Sequence, residues 1–420
     1  MGYVMRLVVP EYYKEFRCIA GECQDSCCAG WDVDVDEEAQ EYYKTVQGEF
    51  GKRLKDSTII DEEGIRFQLC PNMHCCFLND HLLCDLFTAL GEEHLCVTCT
   101  EFPRYYEVFG ALKEKGVGLS CPTAAKLIME HTGPVAFVEE EIDEPIECND
   151  LDYDLYMGLM QGRRMMFDLL SNEEIPFLTR LETLLLVANE LQKCMDSRTY
   201  RKIPKVLEKF TNTKYATKQI GKSVKHGLRY VDPVANMQEM LFYFKELELV
   251  NRTWPRRLNL SLLGTNFAGM EDRDYALLWK EHWKEHENAY QQILTYYIYR
   301  YWMKAAYDED LIAKVKFSLI STMMIGIVDR GQWFTSLAGL SEVPFEDEEE
   351  QLQRSTYDTP KYRKDPSIYE WEDFVWDAHL YSKEVEHSEE NMEGIARACH
   401  EEEMFHVESI LVTMEALFYE

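Results

Sequence analysis

The sequence predicts a mainly α-helical protein in which a cysteine-rich metal-binding module at residues 1–130 precedes a larger α-helical domain at residues 151–420, with a linker at residues 131–150. Two observations support this prediction. Eleven of the fourteen cysteines fall in the first segment. In the last segment, apolar residues recur at helical spacing. A chain of 420 residues is long enough for two or three domains and a large core.

The cysteines of the N-terminal module indicate a metal site rather than disulfides. Disulfides belong to oxidising compartments, and the opening residues MGYVMRLVVPEYYKEF lack the pattern of a signal peptide. We therefore expect a cytoplasmic protein with reduced thiols. Free cysteines that merely fill a core would not cluster in this way, although a metal-free thiol core remains an alternative.

The spacing of the cysteines leaves the metal open. Cys96 and Cys99 form a short pair of the kind used by zinc knuckles. The other candidates are loosely spaced or isolated: Cys18, Cys23, Cys27, Cys76, Cys84 and Cys121. Isolated thiols suit an iron–sulfur cluster, because a cluster is wider than one ion and takes thiolates from separated loops. On spacing alone, zinc and a cluster have equal weight.

The linker and the helical domain follow from turn signals and periodicity. Gly133 and Pro134 predict a turn, and Val135–Val138 predicts a short strand. Residues 346–365 have the composition of a solvated loop. Apolar stripes at helical spacing are formed by Leu155, Leu159, Met166 and Leu170, by Leu178, Leu181, Leu185 and Ala188, by Tyr290, Leu294, Tyr297, Tyr301 and Ala305, and by Ile395, Cys399 and 411–417.

The net charge and the missing motifs exclude several functions. A net charge of −32 argues against a nucleic-acid partner, because phosphate binding needs a basic stripe. The acidity could attract a lysine-bearing partner, but it also keeps a cytoplasmic protein soluble. The longest apolar run, Phe317–Val328, is too short to span a bilayer, so no membrane partner is expected. The chain lacks a dinucleotide-binding glycine motif, a P-loop, a Gly-x-Ser-x-Gly elbow and the Cys-x3-Cys-x2-Cys triplet of radical S-adenosylmethionine enzymes.

Four cysteine motifs resemble those of the flagellin lysine-N-methylase family, which belongs to a broader group with a Cys-Cys-containing zinc- or iron-chelating domain. They occur in the family's order, and two further segments near the C-terminus are similar to the methylase branch. The segments are Cys23-Gln-Asp-Ser-Cys27-Cys28-Ala-Gly-Trp31, Cys76 with Leu83-Cys84-Asp-Leu, Leu95-Cys96-Val-Thr-Cys99 continuing to Pro103-Arg104, Leu119-Ser-Cys121-Pro122, Tyr297-Ile-Tyr-Arg300 and Tyr381 through Glu386-His387 to Asn391.

The resemblance implies methyl transfer from S-adenosylmethionine to lysine side chains of flagellin. It also implies an iron–sulfur cluster, expected to be 4Fe–4S and non-radical, with zinc as the alternative. By motif match, the ligand candidates are Cys23, Cys27, Cys28, Cys76, Cys84, Cys99 and Cys121. A 4Fe–4S cluster needs only four thiolates, so this set is too large. Cys18, Cys70, Cys75 and Cys96 have weaker family support, and for them a packed thiol is the preferred interpretation.

Methyl transfer to lysine requires a neutral amine as the nucleophile. Lysine is protonated near neutral pH, because its reference pKa is about 10.4, so the site must remove that proton. His387, Glu386 and Tyr297 are the candidate catalytic residues, and Arg104 and Arg300 are the candidates for binding the carboxylate of S-adenosylmethionine. Simpler interpretations compete with each. His387 could lie on a solvated, charge-rich helix face, the tyrosine could be core, and the arginines could form buried ion pairs.

A second function of a different class remains open. The same cysteines would also suit a non-catalytic metal-binding or redox-sensing module. The long helical domain with the Glu386-His387 segment favours the enzyme, because a simple chelator does not need it. Binding of S-adenosylmethionine would distinguish the two.

Overall fold

The computed structural model describes residues 4–19, 22–23, 25–28, 33–62, 64–71, 74–79, 83–146, 151–251, 253–268, 273–339 and 369–419. Helices dominate these ranges, which confirms the mainly α-helical class. The predicted solvated loop at 346–365 and Cys148 lie outside the described residues.

The N-terminal part contains a small mixed sheet and a hairpin. The strands are β1 (Met5–Pro10), β2 (Thr58–Asp61), β3 (Gly64–Phe67), β4 (Arg104–Phe109), β5 (Leu112–Val117) and β6 (Phe137–Ile142). The sheet has the order β4-β5-β1-β6, with β1 parallel to β5 and antiparallel to β6, while β2 and β3 pair with each other. Gly110 turns the chain between β4 and β5 with a φ of 62°, a conformation that favours glycine. The predicted strand at 135–138 is found two residues later, as β6.

Five short helices belong to the N-terminal part and thirteen helices follow in the described remainder of the chain. The first group is α1 (Glu37–Thr45), α2 (Gly48–Asp56), α3 (Asp85–Leu90), α4 (Val97–Glu101) and α5 (Pro122–Met129). The second group is α6 (Tyr153–Leu170), α7 (Phe177–Asp196), α8 (Ile203–Phe210), α9 (Thr213–Gly227), α10 (Pro233–Lys245), α11 (Trp254–Ala268), α12 (Arg273–Glu285), α13 (Glu287–Tyr301), α14 (Ala305–Asp308), α15 (Leu311–Leu337), α16 (Trp371–Glu386), α17 (Glu389–Glu401) and α18 (Val407–Leu417). Single 3-10 turns occupy Glu11–Glu15, Glu92–His94, Tyr200–Lys202, Trp302–Lys304 and Glu403–Phe405.

The predicted apolar stripes are buried, so the periodicity identified the core faces of α6, α7 and α13. The last stripe, expected in one helix, is divided between α17 and α18. Helix α15 lies at the centre of the helical body. By length and composition it is the one described helix that could cross a membrane, but 94% of its most apolar window is buried inside the protein. This burial is typical of the core helix of a soluble protein.

Apolar packing divides the chain at limits other than the predicted boundary near residue 130. A small core lies within residues 33–99, with Cys28 of the first cysteine loop packed against it. A large core joins the helical body to the turn after β1, to β4, β5 and α5. The predicted linker contains β6, which pairs with β1, and its residues 147–150 lie outside the described residues. Strand pairing between distant segments explains the difference, since local composition does not reveal it. The domain limits 1–130 and 151–420 stay a prediction.

Candidate active site beside the cysteine-rich loops

One face of α16 carries polar side chains that meet the N-terminal loops. His379, Lys383 and Glu386 are spaced four and three residues apart, so they share a face, and His387 follows at the helix end. A capping box formed by Glu370 and Asp373 fixes the start of this helix. Helix α16 therefore presents these groups at set positions along one line.

Glu386 lies at the centre of a buried hydrogen-bond network. Its side chain is fully buried and lies 2.8 Å from Nη1 of Arg300. It accepts hydrogen bonds from the hydroxyl of Tyr301 at 2.6 Å, from that of Tyr296 at 3.1 Å, and from Ser382. Four donors match the roughly four acceptor positions of a carboxylate. Glu386 is thus held in place and has little capacity left to act as a free base.

Arg300 completes this network from α13. Its guanidinium lies 4.3 Å from the ring centroid of Tyr105 and also faces the rings of Tyr296 and Tyr301. For Arg300, the structure therefore shows a buried ion pair, which was the alternative to binding the carboxylate of S-adenosylmethionine. Arg104 does not join this network. Arg104 lies over the ring of Phe16, with 5.2 Å from Cζ to the centroid, because successive strand residues point to opposite faces.

Tyr297 lies in the core of the helical body. Its ring packs on Tyr296, Tyr301 and Phe317, and burial raises its pKa well above the usual value. Its hydroxyl is buried and has no hydrogen-bond partner among the described residues. An un-ionised phenol in this position is a poor proton acceptor.

His387 is partly buried and its Nδ1 is enclosed by the protein, so this residue does not lie on the solvated, charge-rich helix face of the simpler interpretation. Burial, together with the charges of Lys383, Arg300 and His379, lowers the pKa of His387 to about 3. The imidazole is therefore neutral near neutral pH. Its ring meets that of Phe102 edge-on, with 5.5 Å between centroids.

The neighbouring glutamates point elsewhere. Glu384 accepts hydrogen bonds from the backbone amides of Val250 and Asn251, and burial raises its pKa to about 8. Glu389 and Glu390 are exposed at the start of α17. Of the acidic residues around His387 in sequence, Glu386 is therefore the one that belongs to the network.

Asp25 joins the first cysteine loop to α16. Its Oδ2 lies 2.7 Å from Nζ of Lys383 and 2.8 Å from Nε2 of His379, and all three side chains are buried. Lys383 also donates to the carbonyl of Ser26 at 3.0 Å. Although burial opposes it, Lys383 and His379 hold the pKa of Asp25 below its usual range. Sequence reasoning missed Asp25, His379 and Lys383, although the four-residue spacing of the last two on a helix was a usable signal.

Ten of the thirteen described thiols form two neighbouring groups. In the inner group, Cys28 contacts Cys84, and thiol pairs form between Cys75 and Cys76 and between Cys96 and Cys99. The Sγ atoms of Cys27 and Cys28 lie 4.0 Å apart. The outer group comprises Cys121, Cys23 and Cys18. Burial raises the pKa values of Cys121 and Cys23, and negative charge on neighbouring thiols raises them further; for Cys23 these neighbours are Cys27 and Cys18.

The predicted ligand set is therefore spread over both groups. Cys27, Cys28, Cys76, Cys84 and Cys99 fall in the inner group, whereas Cys23 and Cys121 fall in the outer one. Three thiols that were given weaker support also belong to these groups, as neighbours of predicted ligands: Cys75, Cys96 and Cys18. The signal for Cys75 and Cys96 was their position beside or near another cysteine.

Within the inner group, one thiol of a contacting pair donates a hydrogen bond to the other. The hydrogen bond from Cys28 lowers the pKa of Cys84 to about 6, and the hydrogen bond from Cys75 lowers that of Cys76 to about 7. The donors, Cys28 and Cys75, have raised pKa values. Metal ligation requires thiolates, so each of these contacts offers one ready ligand.

Comparisons with known proteins place this site in context. The family model described as the FliB lysine N-methylase C-terminal domain matches residues 163–413, more than half of the chain. A lysine-N-methylase of Salmonella typhimurium is 26% identical over 147 residues, covering 32% of this chain and 35% of that protein. The flagellar biosynthetic protein FliU of Salmonella muenchen is 25% identical over 146 residues, covering 31% of this chain and 82% of that protein.

A lysine-N-methylase of Salmonella choleraesuis is 25% identical over 147 residues and is covered over 35% of its length. The match thus spans about a third of each lysine-N-methylase. No solved structure matches. The family match includes α13, which supplies Arg300, and α16, which supplies Glu386 and is followed by His387.

Proposed function

Because the chain belongs to the FliB lysine N-methylase family, we propose that it is a protein-lysine N-methyltransferase that methylates flagellin with S-adenosylmethionine as the methyl donor. Its thiols and its relatives' flagellar names suit a cytoplasmic enzyme acting on flagellin or another lysine-bearing protein. The proposal includes a non-radical 4Fe–4S cluster held by the N-terminal cysteines.

The observation that supports this proposal most strongly is the contact between the family-matched helices and the cysteine loops. Helix α16 holds the Asp25 loop through Lys383 and His379, and at its end it carries Glu386 and His387. The thiols and the polar network therefore belong to one site. A simple chelating module would not need the buried network around Glu386.

The residues of the chain suggest how a lysine would react here. A histidine with a pKa of about 3 is too weak a base to deprotonate an ammonium with a reference pKa of about 10.4. Desolvation of the substrate lysine itself would lower that pKa, with the proton going to solvent. Neutral His387 would then accept a hydrogen bond from the amine and orient it. The sulfur–methyl bond breaks as the nitrogen–methyl bond forms, and S-adenosylhomocysteine leaves.

The thiol chemistry fits a cluster better than a single zinc ion. Zinc–sulfur bonds of about 2.3 Å place tetrahedral sulfur ligands about 3.8 Å apart. In the described part of the chain, no three thiols lie within 4.8 Å of one another. A cluster is larger and takes four thiolates, which the inner group could supply from Cys28, Cys84, Cys99 and Cys76. When bound, such a cluster cross-links the loops that carry these thiols.

The direct test incubates anaerobically prepared protein with methyl-labelled S-adenosylmethionine and flagellin from the same cell. We expect label on flagellin lysines. Absence of label with a full complement of iron and sulfide would reject the methyltransferase. If S-adenosylmethionine also failed to bind that preparation, the metal-binding or redox-sensing function would take its place.

Two matched substitutions locate the activity. Glu386→Gln and Glu114→Gln each remove one charge from a buried ion pair, with Arg300 and Arg163 respectively. Both should lower stability by about 3–5 kcal/mol. Methylation corrected for the folded fraction should fall only in Glu386→Gln. Equal residual activities would place the reaction away from Glu386.

A further inference from the structure

A second group of metal-binding side chains lies away from the cysteine loops. His282 is on α12, His286 is at the junction of α12 and α13, and Asp329 is in the C-terminal half of α15. Their ligand atoms all lie within 4.8 Å of one another. The proposed methyl transfer uses none of these three residues.

The carboxylate of Asp329 is oriented toward the imidazoles. Asp329 is fully buried, its Oδ1 lies 3.1 Å from Nε2 of His282, and its Oδ2 accepts a hydrogen bond from Tyr290. A hydrogen bond of this kind to the outer carboxylate oxygen is how metal sites fix their ligands. The imidazole rings of His282 and His286 meet edge-on, with 4.6 Å between centroids.

One nitrogen in this group lacks a hydrogen-bond partner among the described residues. Nδ1 of His286 is buried and makes no hydrogen bond to any described residue. A buried polar atom without a partner is costly. Aromatic rings wall the site, because Trp333 stacks on His282 at 4.9 Å and Trp371 and Phe374 lie against His286.

We propose that His282, His286 and Asp329 bind one divalent transition-metal ion at a site separate from the cysteine-rich centre. Two imidazoles and one carboxylate suit zinc or iron(II) and leave further positions for water. The ion would join the junction of α12 and α13 to α15, which lies at the centre of the body.

The test uses the full chain with its cysteine-rich centre already loaded, and cobalt(II) as the probe. We expect one additional cobalt per chain, with ligand-field absorption but without the thiolate-to-cobalt charge transfer that cysteine ligation produces. His286→Gln should weaken this binding by about 100-fold or more, since even outer-shell partners of a metal contribute 10–100-fold. His226→Gln, at an exposed histidine, should leave it unchanged.

Two results would overturn the proposal. One is additional cobalt that keeps its affinity in His286→Gln, and the other is the absence of additional cobalt binding in the wild-type protein. His286 is only partly buried, so His286→Gln is expected to fold, and circular dichroism checks this. His282→Gln provides an independent variant of the same site.

A different observation concerns surface charge. Residues 198–229 contain ten Lys and Arg and a single Glu, in a chain whose net charge is −32. All ten cations are exposed on the turn before α8, on α8, on α9 and just beyond it. We name this the basic surface. The overall acidity therefore conceals a basic stripe, which the argument from net charge alone did not detect.

Four lysines of the basic surface lie in a line on α9. Lys214, Lys218, Lys222 and Lys225 are three or four residues apart and span about 17 Å at 1.5 Å per residue. Beside them is a groove of about 620 Å³ lined by Lys205, Glu208, Lys209, Asn212 and Tyr215. Holding like charges this close is unfavourable unless an anionic partner neutralises them.

The geometry points to an acidic segment of a partner protein as the occupant of the basic surface. A stripe of this length matches about five extended residues. The rest of the chain, with a net charge near −41 (−32 minus the +9 of this segment), would repel a long polyanion such as nucleic acid.

Fluorescence anisotropy with a labelled glutamate-rich peptide tests this surface. We expect binding that weakens with salt and falls at least about tenfold when the four α9 lysines are changed to alanine. A variant with the exposed Lys44, Lys52, Lys55 and Lys193 changed to alanine is the matched control. Failure of the peptide to bind at low salt, or tighter binding of single-stranded DNA or anionic vesicles, would overturn the assignment.

Discussion

The two apolar cores of this protein differ in what holds them together. The small core of residues 33–99 contains nine buried side chains in the described chain, two of them cysteines. The large core runs through the sheet and nearly every long helix, with four fully buried tryptophans. Burying one large apolar side chain stabilises a fold by about 1.5–3 kcal/mol. Apolar burial alone can therefore stabilise the large core. The small core is near the size at which a fold needs metals or cross-links for its stability.

The strongest test of this comparison removes a thiol from the small core. Cys84→Ser should abolish metal binding at the cysteine-rich centre and, with it, the folding free energy that this metal supplies. We expect hydrogen exchange to become fast in residues 33–99 while far-UV helicity is largely retained. Cys194→Ser, at a buried thiol of α7 remote from both thiol groups, should change neither. Unchanged protection in residues 33–99 would show that the small core needs no metal.

The next test breaks the connection between the cysteine loops and the body. Asp25→Ala leaves the buried charge of Lys383 without its carboxylate partner, which should cost about 3–5 kcal/mol of unfolding free energy. Asp154→Ala removes an exposed partner of Arg201 and should leave the unfolding free energy nearly unchanged. Urea denaturation of both variants measures the difference. Similar small effects would mean that the two regions are not coupled through Asp25.

The pH dependence of stability tests the burial of His387 in the large body. Its folded pKa of about 3 lies below the unfolded value near 6.5, so on acidification the unfolded chain takes up a proton that the folded chain does not. Between about pH 6.5 and pH 3, His387 should remove about 1.4 kcal/mol of stability per pH unit. His387→Gln should flatten the acid limb of the stability profile, and His226→Gln should not. Identical slopes in wild type and His387→Gln would place the imidazole in water.

The smallest expected effect concerns Tyr297. Because its buried hydroxyl has no described partner, Tyr297→Phe should be neutral or stabilising by about 1 kcal/mol. Tyr301→Phe, which removes a 2.6 Å hydrogen bond to Glu386, should be destabilising. Thermal unfolding compares the two. A loss of methylation in Tyr297→Phe without a loss of stability would show that the hydroxyl meets substrate, against its assignment to the core.

The sequence predicted the elements that local patterns encode. The stripes of α6 and α7 are buried as expected, because a helical face repeats within a few residues. The sheet was largely missed, since β1 finds its partners β5 and β6 only in the folded chain. Contacts between thiols from distant segments were missed for the same reason. Cys84 and Cys28 are brought together by loop geometry, which cysteine spacing does not predict. The role of Asp25 is evident only from its contact with Lys383, on a helix near the other end of the chain.

The position of β1 has a consequence for synthesis of the chain. This first strand is interior to the sheet, between β5 and β6, so its last hydrogen-bonded partner, at Phe137–Ile142, is made long after it. On the ribosome, β1 stays without both of its sheet neighbours while residues 11–111 are translated. The thiols of the intervening loops are thus available for metal loading before the sheet closes behind them.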